Sequence, residues 1–422
     1  MQTGDIRLIK DINERVILNL IREHKLISGA QLANITGMQA STIAKLLRTL
    51  QAKSLILNRG KGESTFKGGK RPFLWSLNND VGYVIGIEFI GVDAVIDQAI
   101  GVLLDIEGNI IHSNHFINPS LEEPTDLADL AVNVVNDLLA FKNNDLSNVL
   151  GLGIGIGGIV DAKQGNILTT PAVMQQTNIP LKKMLEARFN FPVFIDNNAK
   201  AAAQGEKWLG GGRGVEDFVM AVVYSDRGVG GIGIGLVLRN ELFYGTNFAA
   251  GELNRTLPPL EFELRAKHSQ LADGHIVKQY LNATEKINTR ILMDAAKEGD
   301  VFALDYFNRL GYKIGQILLP VVGIINPVKI IIEGEVAELR ELLTTPMKEA
   351  IDREANFISS SALQIEPGSH GTLSVSIGAA SIILNDIFRM PSVISNSINQ
   401  YFSSKSKNRQ PQQVSQISQV DD

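Results

Sequence analysis

Residues 27–50 read ISGAQLANITGMQASTIAKLLRTL, a stretch with the signals of two short helices joined by a tight turn. Ser28 and Gln31 form a capping box, in which the Ser hydroxyl and a Gln three residues later cap the start of a helix. This short helix is expected to run from Gln31 to Ile35. Gly37 ends it, because glycine adopts the left-handed conformation without steric cost. Two short helices joined by a glycine turn predict a helix-turn-helix.

The helix after the turn is expected from Gln39 to Ala52 and has one apolar and one polar side. Its apolar stripe has the i, i+3, i+4, i+7 spacing of a buried face and consists of Ile43, Leu46, Leu47 and Leu50. In a helix-turn-helix the second helix enters the DNA major groove, with its N-terminal residues at the base edges. The candidates for contact with bases or adjacent phosphates are Gln39, Ala40, Ser41, Thr42 and Lys45. Arg48 and Lys53 are expected to contact phosphates.

Two apolar segments, Ser54–Asn58 and Phe73–Leu77, flank a loop that reads RGKGESTFKGGKRP over residues 59–72. This arrangement is typical of a winged helix-turn-helix, whose basic loop enters a minor groove where narrow tracts attract Arg and Lys. The candidate DNA contacts in the loop are Lys67, Lys70 and Arg71. A tip rich in Gly and Lys is also typical of any exposed hairpin, and this alternative stays open.

Charge is distributed unevenly along the 422-residue chain, whose net charge is −5. Residues 1–80 carry a net charge of +7 and the remainder carries −12. A basic first part on an acidic body indicates a polyanion partner for the first part alone. Together with the helix spacing and the cap, this favours a DNA-binding domain over an ordinary three-helix bundle with a solvated polar face.

Composition excludes several classes of protein and site. The chain has no cysteine, which rules out a disulfide scaffold, a thiolate zinc site and a catalytic Cys. Its six histidines are scattered, so an all-His metal site is not expected. There is no run of about 18 apolar residues, and the start, MQTGDIRLIKD, lacks the apolar core of a secretory signal. We therefore expect no membrane span and a cytoplasmic location.

From Val81 onward, patterns of apolar strands and helices occur in two similar sets. The second set begins at Phe218 and ends with a helix from Ser376 to Phe388. Meanders followed by alternating helices and strands, occurring twice, predict two α/β lobes with a cleft between them. The tail after Pro391 is rich in Ser, Gln and Asn and is expected to be disordered.

Two glycine-rich runs, Gly151–Gly158 and Gly228–Gly235, allow two interpretations. They could cradle phosphates, or they could be strands on which helices pack closely. Neither is a P-loop, because no Gly-Lys-Ser/Thr follows.

Seven stretches together resemble the transcriptional regulators of the ROK family (repressor, open reading frame, kinase), over about residues 5–390. In chain order they read ISGAQLANITGMQASTIAKLLRTL, GGKRP, GIGIGGIVDAKQGNI, DNNAKAAAQGE, GVGGIGIGLVLRNELFYG, AAGEL, and INPVKIIIEGEV with IGAAS. The resemblance implies an α/β fold with an N-terminal winged helix-turn-helix and a two-lobed body of the actin and hexokinase (ribonuclease H-like) type. The implied domains are the winged helix-turn-helix over 1–78, a first lobe over 79–198 completed by helix 376–390, a second lobe over 199–375, and the tail over 391–422.

The family includes sugar kinases and sugar-responsive repressors, and departures from the kinase pattern favour a regulator. Kinases of the family carry an acidic-Asn-Asp-Ala-Asn segment, whose Asp takes the proton from the sugar hydroxyl. Here residues 196–200 read DNNAK, so the base position is Asn198. A carboxamide lacks the basicity for that role, and general-base help is worth roughly 10²–10⁴ in rate. We therefore expect no catalytic residue and no enzyme activity.

The phosphate-binding segments of the kinase pattern also differ in this chain. The family's first phosphate loop, Asp-x-Gly-Gly-Thr-Lys, is matched by Glu88–Asp93, which lacks the Gly-Gly and the Thr. The Gly-Gly of the second lobe is replaced by Glu333-Gly334-Glu335, whose charge would repel phosphate.

The sugar-binding end of the family's site is kept in part. The family pattern Gly-Glu-x-Gly-His corresponds to Gly251–Arg255, in which Glu252, a sugar contact in the family, is present. The His that touches sugar and binds zinc is replaced by Arg255, and the Cys-rich zinc loop is absent, so no metal and no cofactor is expected. Arg255 either binds a phosphorylated or acidic sugar or pairs with a carboxylate and closes an empty site. The implied ligand-binding residues are Gly158, Asn197, Asn198, Glu252 and Arg255.

These features predict a sequence-specific DNA-binding transcriptional regulator, and specifically a repressor of carbohydrate-utilisation genes. A sugar or sugar phosphate between the lobes would change the affinity for a double-stranded DNA operator, by a coupling typically worth about 1–3 kcal/mol. The resemblance also implies a homodimer or homotetramer. Two alternatives stay open: an ATP-dependent sugar kinase with a DNA-binding head, and a ligand-independent regulator with a degenerate sugar site.

Overall fold

The computed structural model describes residues 6–62, 71–92, 95–121, 124–142, 145–170, 177–224, 230–253, 256–257, 278 and 289–389. Four sets of predicted positions lie outside these ranges: Lys67, Lys70, Arg255 and the tail from residue 391. The chain divides into two compact units, of which the smaller comprises residues 1–81 and 386–422 and the larger comprises residues 82–385.

The smaller unit combines helices with a three-stranded antiparallel sheet. Its helices are α1 (Ile6–His24), α2 (Gly29–Thr36) and α3 (Ala40–Ala52). Its strands are β1 (Ile27–Ser28), β2 (Ile56–Lys61) and β3 (Phe73–Leu77). The strand order is β1-β3-β2. The sequence pattern predicts β3 with the observed bounds and places the other long strand two residues too early. It does not predict β1, which is too short to have a periodic signal.

The start of α2 has the predicted capping box. The Gln31 N–H donates to Ser28 Oγ at 3.2 Å, and the Ser28 N–H donates to Gln31 Oε1 at 2.9 Å. The helix begins at Gly29, directly after the cap and earlier than the pattern predicts. At its other end Gly37 is left-handed, with φ of 69°, and its N–H donates to Ala33 O at 2.9 Å. The predicted glycine turn is therefore confirmed.

The apolar stripe of α3 forms the core of the smaller unit. All four predicted residues are buried: Ile43, Leu46, Leu47 and Leu50. They share this core with fully buried side chains of α1 and α2, among them Ile17, Ile21 and Leu32. Burial of each such side chain stabilises the fold by about 1.5–3 kcal/mol before conformational entropy is counted.

The larger unit contains two main sheets. The strands of the first are β4 (Tyr83–Val92), β5 (Val95–Asp105), β6 (Ile110–Leu121), β7 (Val149–Ile156) and β10 (Val193–Asn197). Their order is β10-β7-β4-β5-β6. Strands β4, β5 and β6 form an antiparallel meander, and β7 runs parallel to both β4 and β10. A short hairpin follows β7 and consists of β8 (Ile159–Asp161) and β9 (Asn166–Thr169).

The second sheet repeats this mixture of antiparallel and parallel pairs. Its strands are β11 (Phe218–Tyr224), β12 (Gly230–Leu238), β13 (Glu241–Leu242), β14 (Thr256–Leu257), β15 (Lys329–Glu333) and β16 (Gln364–Pro367). The order is β13-β12-β11-β15-β16, and β14 pairs with β12. Strand β11 is antiparallel to β12 and parallel to β15. Two mixed sheets agree with the predicted α/β class.

Helices cover these sheets. They are α4 (Pro124–Leu139), α5 (Leu181–Glu186), α6 (Asn198–Leu209), α7 (Thr289–Lys297), α8 (Val301–Ile325), α9 (Glu341–Glu354), α10 (Phe357–Ser361) and α11 (Ser374–Phe388). In the part of the chain that the structure describes, one window, Gly371–Phe388, is long and apolar enough to cross a membrane, although the sequence analysis found no such run. Because 67% of this window is buried inside the protein, it is packed as a core helix is.

Glycines in strands and helices allow the backbones to pack closely. A Cβ atom added at Gly153 of β7 would lie 2.0 Å from the Ala379 carbonyl oxygen of α11. A Cβ at Gly378 of α11 would lie 2.0 Å from the Ala201 carbonyl oxygen of α6. Both distances are far shorter than a van der Waals contact. Of the two interpretations of the first glycine-rich run, close packing of helices therefore accounts for Gly153.

Candidate functional site

The N-terminal half of α3 presents an exposed polar face. Every residue that the sequence analysis selected on this helix is exposed: Gln39, Ala40, Ser41, Thr42, Lys45 and Arg48. Gln39 is the N-cap residue, yet its side chain makes no capping hydrogen bond. The helix is held from its opposite side by the buried stripe, so these polar side chains have no part in the core.

Two further basic residues of the smaller unit differ in their surroundings. Arg71, at the end of the loop before β3, is exposed. Lys53 is instead engaged within the unit, because its ammonium lies 2.5 Å from Oε2 of Glu14, a buried carboxylate of α1. The Lys53 side chain is still 45% exposed, so its contact with phosphate stays a prediction and would compete with this ion pair. A local pattern did not reveal the pairing because Glu14 lies on another helix.

In the larger unit, the junction of β10 and α6 brings several predicted residues together. Asn197 is the N-cap of α6, and its Oδ1 accepts from the N–H groups of Ala199 at 3.0 Å and Lys200 at 3.2 Å. Its Nδ2 donates to the Gly158 carbonyl oxygen at 2.8 Å and to Glu252 Oε1 at 3.4 Å. The cap thus orients the Asn197 amide toward two other predicted ligand-binding residues.

Asn198, the residue at the family's base position, is fixed as a hydrogen-bond donor. It is 8% exposed, and its Nδ2 donates to the Tyr224 hydroxyl at the end of β11. Burial, and then the charge of Glu88, raise the pKa of Tyr224 well above its ordinary value. A phenol that stays protonated and an amide that donates to it provide no group able to take a proton from a sugar.

Asp196, one residue earlier, is a buried carboxylate that the sequence analysis did not select. It is 2% exposed, and the Tyr244 hydroxyl donates to its Oδ2 at 2.7 Å. Burial raises the pKa of Asp196 to about 6, against the lowering effects of the bonds from Tyr244 and from the Asn197 N–H, and of the charge of Lys200.

Lys200, in the first turn of α6, is the second residue that was missed. It is 1% exposed, and its Nζ has no hydrogen-bond partner. A signal was present in the sequence, because the family pattern has Asn where this chain has Lys200. Tyr244 gave no such signal, since nothing local relates it to Asp196.

Two buried carboxyl groups, Glu88 and Glu333, lie in the segments for which the sequence predicted altered phosphate loops. Glu88 of β4 is 5% exposed, and burial followed by the nearby charge of Glu333 raises its pKa to about 8. Glu333, at the end of β15, is 1% exposed, and its Oε1 accepts from the His370 N–H at 3.3 Å. Burial raises its pKa as well, with a further contribution from Glu206.

These raised pKa values change the physical account of the departure from the kinase pattern. At neutral pH neither carboxyl group carries a full charge, so repulsion of phosphate is weaker than the sequence suggests. The Glu333 side chain also takes up space, because a Cβ at Gly368 would lie 2.0 Å from its Oε1. Across the described ranges, no cluster of three or more His, Asp or Glu side chains could hold a metal ion.

Comparisons with known proteins identify the family and the fold. A family model described as ROK family matches residues 89–386. The chain is 27% identical over 408 residues to a xylose repressor from Caldicellulosiruptor bescii, which covers 92% of this chain and 99% of that protein. It is 24% identical over 370 residues to an N-acetylglucosamine repressor from Escherichia coli O157:H7, covering 84% of this chain and 88% of that protein.

Two solved structures have the same fold over most of their length. A ROK family transcriptional regulator, described as a homologue of the Escherichia coli MLC protein, has a TM-score of 0.74 at 19% identity, covering 94% of this chain and 99% of that one. A ROK family glucokinase from Streptomyces griseus, in complex with glucose and AMPPNP, has a TM-score of 0.57 at 24% identity. The match covers 71% of this chain and 99% of the glucokinase chain.

Proposed function

The chain belongs to the ROK family, and from that premise we propose that it is a DNA-binding transcriptional repressor of carbohydrate-utilisation genes. The smaller unit acts as a winged helix-turn-helix that reads an operator. A sugar or sugar phosphate in the larger unit changes the affinity for that operator. Repressors of sugar use among the relatives support this assignment, since their similarity extends over nearly the whole chain.

The observation that carries the proposal is the exposed polar face at the N-terminal half of α3. A helix-turn-helix places such a face in the major groove, where Gln pairs with adenine and Lys with guanine. Gln39, Thr42 and Lys45 are the base-reading candidates, and Arg48 and Arg71 are candidates for phosphate and minor-groove contact. All five are exposed, and they lie in a part of the chain with a net charge of +7.

The larger unit supports a binding function rather than phosphoryl transfer. Asn198 donates to Tyr224 at the position where a kinase would need a base. Glu88 and Glu333, both buried, lie in the two segments that would bind phosphate in a kinase. The group at Gly158, Asn197, Asn198 and Glu252 keeps hydrogen-bonding groups suited to sugar hydroxyls.

In this proposal the chain has the three functional parts that the sequence predicts. Residues 1–78 read DNA, residues 79–198 with helix 376–390 form one lobe of the sensor, and residues 199–375 form the other. Two-fold homodimers, or tetramers built from them, read half-sites about one helical turn or a multiple of it apart. Such a protein acts in the cytoplasm, where the operator is.

The test starts with operator selection from random duplex DNA by the full chain. Binding of the selected duplex is then measured by fluorescence anisotropy. Thr42→Ala or Lys45→Ala should weaken binding about 10-fold or more, since a good base contact is worth about 1–3 kcal/mol. The matched control is Lys313→Ala, which removes an exposed lysine of the larger unit and should leave the affinity unchanged. Equal affinities for Lys45→Ala and the wild type would remove α3 from the DNA interface.

The alternative functions are distinguished in the same preparation. Addition of a sugar or sugar phosphate should lower operator affinity about 5- to 150-fold. An unchanged affinity with every compound indicates a ligand-independent regulator. Turnover of ATP with a hexose at the rate of ordinary kinases, about 1–100 s⁻¹, indicates an enzyme and contradicts the proposal.

A further inference from the structure

Lys200 is a buried cation without a partner in the ligand-binding region of the larger unit. Its side chain is 1% exposed, and its Nζ makes no hydrogen bond. A buried polar group without a hydrogen bond typically costs about 1–3 kcal/mol, and more if it is charged. Lys200 therefore lowers the stability of the folded protein, and packing does not explain why a lysine occupies this position.

The surroundings of Lys200 are acidic but stop short of an ion pair. Burial lowers the pKa of Lys200, and the carboxylates of Asp196 and Glu252 act in the opposite direction, so both lie close enough to attract the ammonium. Neither of these two described residues forms an ion pair with it within 4.0 Å. Asp196 is already held by Tyr244 at 2.7 Å, and Glu252 by the weaker bond from Asn197 at 3.4 Å.

The placement of these groups is determined by the turn from β10 into α6. Asn197 caps α6 and binds the Lys200 N–H at 3.2 Å, while its Nδ2 donates to Glu252 Oε1. The backbone of Lys200 and the Glu252 carboxylate are thus connected through one side chain. The capped helix start therefore positions the Lys200 backbone relative to the Glu252 carboxylate.

We propose that Lys200 is a specificity-determining residue of the effector site, where its Nζ donates a hydrogen bond to a hydroxyl of a neutral sugar that in turn donates to Glu252. The inference rests on the proposed function, since it assumes that an effector binds in this region. A hydroxyl fits because it both accepts and donates, as a lysine and a carboxylate require of a group between them. Nζ is out of contact with solvent, so a sugar can reach it only if something moves. The Lys200 side chain or the residues around it therefore shift when the sugar binds.

Charge favours a neutral sugar over an acidic one. Among the described residues, the charges that act on the Lys200 ammonium are the carboxylates of Asp196 and Glu252, two negative charges against one positive charge. An anionic sugar would add a third negative charge beside Glu252 and Asp196. A hydroxyl adds none and satisfies the unpaired donor.

Binding is measured by calorimetry on the full chain with D-xylose, D-glucose and N-acetylglucosamine, and with D-glucuronate and glucose 6-phosphate as acidic probes. Lys200→Met should weaken binding of the neutral sugar about 10- to 100-fold, the range for a hydrogen bond to a charged group. Lys200→Asn, which restores the family residue, serves if the Met variant does not fold. Lys329→Met removes a lysine that is paired with Glu366 at the start of β15 and should not change sugar binding.

A double-mutant cycle separates a direct contact from a structural effect. Monodeoxy analogues of the sugar that binds are compared in the wild type and in Lys200→Met. One analogue should bind at least 10-fold more weakly than the parent sugar in the wild type and lose a clearly smaller factor in the variant, because Lys200→Met has already removed one of that hydroxyl's two hydrogen bonds and only the bond to Glu252 is left to lose. A purely structural role of Lys200 would weaken all analogues alike.

Four outcomes overturn the proposal. Unchanged neutral-sugar affinity in Lys200→Met and Lys200→Asn, or a uniform loss for all deoxy analogues, rejects the contact while the proposed function stands. An acidic probe that binds at least 10-fold more tightly than its neutral counterpart rejects the neutral class. If the wild type binds none of the probes and none of them changes the affinity for the operator, the effector part of the proposed function is rejected. This inference is then rejected as well.

Discussion

At the scale of single residues, the larger unit concentrates buried ionisable groups around one helix start and in two strands. Asp196 and Lys200 belong to the first group, and Glu88 and Glu333 belong to the second. Burial is the largest cause of the pKa shift for each of them. Clusters of perturbed groups are typical of functional sites, and here they coincide with segments that resemble the sugar and phosphate sites of kinases.

Glu252 provides the simplest test of the ligand-binding group. Its Oε1 accepts from Asn197 at 3.4 Å, while the residue as a whole stays exposed. Glu252→Ala should weaken sugar binding about 10-fold or more, because a hydrogen bond to a charged group is worth about 1.5–3 kcal/mol. Calorimetry checks this, with Glu349→Ala, a glutamate of α9 outside this group, as the control. Equal affinity in Glu252→Ala and the wild type would place the sugar elsewhere.

Glu88 makes stability depend on pH. The pKa of Glu88 is raised from 4.5 to about 8 in the folded protein. At pH values well below 4.5 the carboxyl group is protonated in both the folded and the unfolded protein, so its ionisation does not change the free energy of unfolding. As pH rises toward 8 the unfolded chain ionises while the folded chain resists, so the free energy of unfolding falls.

Glu88→Gln should therefore flatten the loss of stability between about pH 5 and pH 8, an effect on the order of a few kcal/mol. The thermal midpoint of unfolding, measured across this range, checks the prediction. Glu349→Gln should keep the wild-type slope. The burial argument is refuted if Glu88→Gln keeps that slope too.

At the scale of elements, the close approach of strand and helix backbones determines how the larger unit packs. Gly153 of β7 faces the Ala379 carbonyl, and Gly378 of α11 faces the Ala201 carbonyl of α6. Helix α6, whose first turn carries Asn198 and Lys200, is thus held by α11 through backbone contact. The position of Asn198 and Lys200 therefore depends on the close approach at Gly378.

Gly153→Ala tests this packing. A methyl group 2.0 Å from the Ala379 oxygen forces backbone movement, and overpacking of a core typically costs about 1–3 kcal/mol, occasionally more. We expect a clear fall in the thermal midpoint. Gly323→Ala in α8 is the matched control. It meets nothing within 4 Å and should be neutral or stabilise the helix by up to about 1 kcal/mol. Equal midpoints for both variants would contradict the assignment.

The capping box of α2 is the corresponding element in the smaller unit. Ser28→Ala removes the acceptor of the Gln31 N–H and should destabilise the unit by about 1 kcal/mol. Ser41→Ala, at an exposed site of α3, should stay within about 0.5 kcal/mol of the wild type. Hydrogen exchange of the amides in α2 measures the difference. Identical protection in both variants would show that the cap contributes little.

At the scale of the whole molecule, charge separates the two roles. The first 80 residues carry +7 and the rest carries −12, so a polyanion is attracted to one end and repelled by the body. Release of counterions makes such binding strongly dependent on salt.

The full chain should bind its operator about 10³-fold or more weakly at 200 mM than at 50 mM salt, if it neutralises at least six phosphates as a dimer. Arg48→Ala should reduce the slope of log affinity against log salt concentration by about 1 for each phosphate that the Arg48 guanidinium neutralises. Anisotropy titrations at several salt concentrations provide the slopes. A salt-independent affinity would contradict the DNA-binding assignment of the basic part.

The sequence alone was sufficient to predict the features that are caused by local interactions. The Ser28–Gln31 cap, the Gly37 turn and the buried stripe of α3 follow from interactions within a few residues, and all were predicted. The absence of a base at Asn198 is likewise a matter of one side chain's chemistry. Family motifs extended this to the α/β class, while the ligand-binding roles of Asn197 and Glu252 stay predictions.

Tertiary structure decided what depends on residues far apart in the chain. Lys53 pairs with Glu14, Asp196 accepts from Tyr244, and Lys200 is left without a partner, none of which follows from spacing. Desolvation of a charge is produced by whatever elements surround it, so the raised pKa values of Glu88 and Glu333 exist only in the folded chain. The sequence thus determined the caps, the turn and the buried stripe of the smaller unit and the α/β class of the larger one. Packing determined which charges are buried, which are paired, and which is left free for a ligand.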